Sequence, residues 1–216
     1  MRVMWWIAGT VLFVGALTAG AYQVVTVLAH EERTETVAYP AADLTSVDVA
    51  TGNGAVRVTT SDSDEVVVQA RISEGLRPTG EEQQVVGDTL RLRASCPNFG
   101  SDWCAVDYTL EVPRHMALVI RTDDGPIEGS DLGSVTVDAD ADHGRVSLAF
   151  AVPPEAVWAT TDHGSVEVIV PDDGTAYHLD VETDHGERVE EVPIDSSSAR
   201  SITIRTDHGD ASVRAR

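Results

Sequence analysis

Along most of the chain, apolar and polar positions alternate with a period of two. Val47, Val49 and Thr51 lead into Gly54, and Val56 and Val58 lead out of it. Val66, Val68, Ala70 and Ile72 form a second alternating stretch, Leu90 and Leu92 a third, and Val106, Tyr108, Leu110 and Val112 a fourth that ends at Pro113. After Leu118, Ile120 and Thr122 the same rhythm runs to the final residues Ala211, Val213 and Ala215. Alternation of this kind predicts half-buried strands. Helical periodicity is nearly absent beyond the first thirty residues, so the folded part is all-β.

The strands are punctuated by one recurring corner. Asp-X-Gly appears at Asp123-Asp124-Gly125, Asp142-His143-Gly144, Asp162-His163-Gly164, Asp184-His185-Gly186 and Asp207-His208-Gly209, with Thr51-Gly52-Asn53-Gly54 as an earlier relative. From Gly125 onward the glycines lie 19, 20, 22 and 23 residues apart. Asp and His tolerate turn geometry and Gly supplies positive φ, so each motif predicts a tight bend between two strands. A single strand pair cannot bury its apolar face, whereas stacked copies share a core. The near-constant period therefore predicts a β-solenoid or β-helix-like repeat domain, with a β-sandwich of ordinary hairpins as the rival. One copy departs from the pattern: Arg188 stands where the other copies place an apolar residue, with Val189 and Val192 out of phase, and that rung is expected to be bulged or loosely packed.

The first thirty residues are different in kind. Val3 to Ala29 contain no Asp, Glu, Lys or Arg, which is long enough to cross a bilayer as one helix. Arg2 before the run and Glu31 and Glu32 after it place the N-terminus inside and the remainder outside the cell. A cleaved signal peptide is the competing reading, since Ala19-Gly20-Ala21 has the form of a cleavage site. The expected organisation is a transmembrane signal anchor (or signal peptide) over 1–30, a polar tether over 31–45, and a β-repeat domain over 46–216. Within that domain, the stretch from Gly75 to Gln84 is expected to be a polar loop.

Charge narrows the partners. The chain carries 36 Asp and Glu against 15 basic residues, all arginine, for a formal charge of -21. Nucleic acid requires a basic face and is not an expected partner. The lipid bilayer is expected to hold residues 3–29, and the domain to meet an envelope or surface protein or polysaccharide.

Cys96 and Cys104 are the only cysteines, and in an exported chain such a pair is most simply a disulfide. It would close a loop carrying Phe99 and Trp103, which together with Trp158 are candidate contact residues. In register, the corners would set Asp142, Asp162, Asp184 and Asp207 in one column and His143, His163, His185 and His208 in another. Carboxylate and imidazole at strand spacing can hold a divalent ion, and stacked imidazoles can also serve as an acid sensor. The plainer reading is a row of solvated turn residues. No nucleophile elbow, phosphate loop or zinc-protease motif is present in the sequence, Ser165 follows His163 too closely for a relay with Asp162, and no cofactor or catalytic residue is expected.

The stretches "TTDHGSVEVIVP", "ETDHGERVEEVP", "IRTDHGDASVRAR", "RTDDGPIEGSDL" and "ADHGRVSLAF" resemble the bacterial putative-adhesin family of β-strand-repeat domains of unknown function, over roughly Ser46 to Arg216. The family writes a Thr-Ser-Ser-Gly-like corner where this chain has Asp-His. The resemblance implies a β-helix-like domain on a membrane-anchored or envelope-stress-associated protein, with no catalytic residue to carry over. The expected function is a non-enzymatic extracytoplasmic adhesion or scaffold module, with a metal- or pH-responsive sensor as the alternative.

Overall fold

The computed structural model describes residues 31–75, 78–96 and 104–216, and these fold into two β-sheets facing one shared core. The N-terminal run expected to span a membrane and the loop residues Phe99 and Trp103 lie outside the described residues. Among the described residues no helix is long and apolar enough to cross a membrane.

Most strands come in consecutive pairs, one in each sheet, and each pair forms a rung. The rungs are β2 (Ser46–Asn53) with β3 (Val56–Ser61), β6 (Thr89–Ser95) with β7 (Ala105–Pro113), β8 (Ala117–Asp124) with β9 (Ile127–Leu132), and β10 (Thr136–His143) with β11 (Val146–Phe150). They continue with β12 (Ala156–His163) and β13 (Val166–Val170), β14 (His178–His185) and β15 (Arg188–Glu191), and β16 (Ser201–His208) and β17 (Ala211–Ala215). Neighbouring rungs pair in parallel and in register, for example Val137↔Val157 and Val157↔Ile202. Inward positions such as Val47, Val49, Val146, Leu148, Val166 and Val168 are wholly buried, while their sequence neighbours face water. Alternation in sequence thus becomes a two-sided sheet, as the period of two demands.

The rungs do not stack in sequence order. In space they run β6/β7, β2/β3, β8/β9, β10/β11, β12/β13, β16/β17, β14/β15. The last rung of the chain is inserted beside β12/β13, and the rung before it is displaced to the end. The expectation of bends stacked in sequence order is corrected at both ends, and composition accounts for the exchange of the last two rungs. β16 and β17 bury Ile202, Ile204, Ala211 and Val213 completely, and each large aliphatic gains about 1.5–3 kcal/mol from burial. In the displaced rung, Arg188 lies in register with Ala211 and Glu190 with Val213, so a charged pair occupies the inward rows. An interior place would bury that ion pair at a cost of several kcal/mol, whereas the end leaves it at water's edge. The sequence departure at Arg188 therefore marks the end of the stack. Val189 is turned to the outer face and only Val192 packs against the core.

Two further expectations change. Residues 31–40, read as tether, form strand β1 (Glu31–Pro40), which pairs antiparallel along all of β4 (Glu65–Glu74). Its side chains are mostly exposed, so backbone hydrogen bonds hold it and the hydrophobic pattern carried no signal. Part of the stretch read as a polar loop, from Gly80, is strand β5 (Gly80–Val86), antiparallel to β6. Together β1, β4 and β5 cover the end of the stack opposite β14/β15.

Candidate functional site

The corners form a continuous column along one edge of the two sheets. Gly125 N–H donates to His143 O, Gly144 N–H to His163 O, Gly164 N–H to His208 O and Gly209 N–H to His185 O, all at 2.9–3.0 Å. The glycines touch backbone to backbone. A Cβ on Gly144 would lie 2.1 Å from Gly125 O, one on Gly164 2.0 Å from Gly144 O, and one on Gly209 1.9 Å from Gly164 O. No side chain fits that gap. Gly164 and Gly209 also take φ of 156° and 151°, but Gly144 is not in the positive-φ region and is held to glycine by the close approach alone.

Three residues before most corner glycines stands a threonine, buried at 122, 161 and 206 and half-buried at 183, whose hydroxyl donates to a glycine carbonyl one rung away. Thr122 reaches Gly54 O at 3.3 Å, Thr161 reaches Gly144 O at 3.0 Å, Thr206 reaches Gly164 O at 2.8 Å and Thr183 reaches Gly209 O at 2.8 Å. Read only as members of the apolar alternation, these threonines hid their role; the signal was their fixed offset from the glycine. Ala141 interrupts the series. Directly after the corner glycine, Asp107 and Asp210 accept the N–H groups of Ala55 and Glu187 at 2.8 and 2.9 Å.

With the backbone fixed this way, the histidines stack. His143 and His163 have ring centroids 4.9 Å apart and planes within 8°, His163 and His208 4.9 Å and 0°, and His208 and His185 4.8 Å and 6°. The column order is 143, 163, 208, 185, because the final rung is inserted. Asp124 occupies the equivalent place in the next rung, its Oδ1 3.6 Å from His143 Nδ1. Asp142, Asp162, Asp207 and Asp184 each precede a column histidine and are exposed. As the side chains stand, no three His, Cys, Asp or Glu among the described residues converge on one point suited to a metal ion.

Elsewhere, Cys96 and Cys104 are disulfide-bonded with Cα atoms 5.7 Å apart. Trp158 lies on the outer face of its sheet and is 43% exposed. That face carries an alternating ion ladder, Arg93 to Asp48 to Arg121 to Asp138, across four neighbouring strands. On the outer face of the other sheet, a shallow groove of about 540 Å³ runs past Arg57, Thr109, Arg145 and Ser147.

No protein-family model matches the chain, and no curated protein matches it. Among solved structures it aligns with a putative cell adhesion protein from Clostridium sporogenes at 13% identity, over 87% of this chain and 100% of that one, with a TM-score of 0.63. Putative adhesins from Bacteroides fragilis and Parabacteroides merdae align at 13% and 10% identity over 85% and 86% of this chain and 97% and 96% of theirs, with TM-scores of 0.38 and 0.30. The first likeness, spanning nearly the whole described body, shows that this chain has the all-β fold of the Clostridium protein.

Proposed function

We propose that the protein is a non-enzymatic, membrane-anchored surface module that binds an envelope or surface protein or polysaccharide outside the cell. The observation that carries the reading is the fold shared over 87% of the chain with a protein described as a putative cell adhesion protein. The two outer faces support it. Both are solvent-facing, one bearing the exposed Trp158 and the other a groove that Arg57, Arg145, Thr109 and Ser147 line together with apolar residues, and exposed aromatics are favoured at contact sites. On this reading the repeats act as a β-solenoid-like rod, and the uncharged run over 3–29 holds that rod at the bilayer.

A cell-binding assay tests it. Fluorescently labelled full-length protein in nanodiscs is applied to intact bacterial cells and to purified envelope polysaccharide. Saturable binding that Trp158→Ala or Thr109→Arg reduces at least tenfold supports a surface module. Binding absent from both preparations, or turnover of hydrolase substrates that scales with protein, contradicts it.

A further inference from the structure

We propose that the histidine column is a binding site for a borderline divalent transition metal such as Zn²⁺, Ni²⁺ or Cu²⁺. Four imidazoles stand in line at 4.8–4.9 Å with nearly parallel planes. Their backbone positions are fixed by the glycine contacts one residue later. Imidazole nitrogen is a preferred donor for these ions, at about 2.0–2.1 Å, so two nitrogens on one tetrahedral ion lie about 3.3 Å apart. Adjacent rings must close by roughly 1.5 Å from their stacked separation. That takes a change of torsion at two exposed side chains, which also turns the ring planes out of parallel so that their in-plane lone pairs meet at one ion.

Carboxylates are at hand to complete the coordination. Asp124 closes the His143 end of the column at 3.6 Å, and each column histidine follows an exposed aspartate in sequence. With a formal charge of -21, the chain also attracts cations. Calcium and magnesium favour all-oxygen sites and gain little from imidazole, so the column selects the softer ions.

The column order fixes the stoichiometry. Each ion takes two neighbouring rings, and four rings divide into two independent pairs, His143 with His163 and His208 with His185. Saturation therefore means two ions per chain. H143N/H185N leaves the central pair and should bind one ion. H163N/H208N leaves histidines three rungs apart and should bind none. H143N/H208N leaves His163 and His185, consecutive copies in sequence that the inserted rung separates, and should also bind none.

The test is calorimetric titration of tag-free, chelator-treated full-length protein in detergent with Zn²⁺ alone, alongside these three variants. Two ions for the unmodified chain, falling to one and to none as stated, supports the site. Equal Zn²⁺ binding by the unmodified chain and H163N/H208N overturns it, since carboxylates alone would then hold the metal. Absence of binding by the unmodified chain overturns it as well. Protection of His143, His163, His185 and His208 from diethylpyrocarbonate by Zn²⁺ gives a readout without substitution, and unchanged labelling of all four counts against the site.

Discussion

Glycine at the corner is required by contact as much as by torsion, and two substitutions separate these causes. Gly144 is outside the positive-φ region, yet its added Cβ would meet Gly125 O at 2.1 Å; Gly87 has φ of 66° with nothing within 4 Å. Gly144→Ala should therefore cost about 3 kcal/mol or more in denaturant unfolding and Gly87→Ala about 1 kcal/mol. The reverse order would make torsion the cause. The threonine row makes a second residue-level prediction. Thr206→Val leaves Gly164 O without its hydroxyl donor and should destabilise by about 1–3 kcal/mol, whereas Ala141→Thr supplies the missing hydroxyl and should raise the unfolding midpoint. Tyr177 is fully buried and its hydroxyl has no hydrogen-bond partner. Burial, helped by Asp173 and opposed by Arg200, pushes its phenol up to about 12. A raised folded pKa favours the fold below the ordinary value of 10.0, and that contribution is lost as pH climbs from there to about 12. Tyr177→Phe should flatten the loss of stability across that window without lowering stability at pH 7, as thermal melts at each pH will show.

Among the elements, the displaced rung shows how this stack of strand pairs ends. β15 is short and sets Arg188 and Glu190 on the inward rows at the open edge, a device that discourages strand addition by another chain. R188V/E190V should create an apolar edge and move the protein to larger species in size-exclusion chromatography with light scattering; an unchanged mass would show that the charges do not guard the edge. Much of this level was legible in the sequence. The strand alternation, the corner motif and the odd rung at Arg188 are all written in residue order. β1 and most of β5 were not legible, because edge strands held by backbone hydrogen bonds need no apolar side chains. The row of histidines was also readable from the repeats, but its order was not. Order depends on comparing how well two rungs fill the interior, and that comparison is energetic and does not show as a motif.

For the whole molecule, the consequential feature is the insertion of the final rung between β12/β13 and β14/β15. Connections on both sides secure it: His178 N–H donates to Arg200 O at 2.8 Å, Ser201 N–H to Glu155 O at 2.9 Å, and the Arg200 guanidinium to Pro153 O and Pro154 O at 2.9 and 2.8 Å. The insertion decides which histidines are neighbours, which edge is exposed and where the inward charges lie. Interstrand backbone NOEs measure it directly. The account predicts contacts from Ile204 to both Ala159 and Val181, its register partners on either side. Direct contacts between Ala159 and Val181, with Ile204 lying outside them, would contradict it.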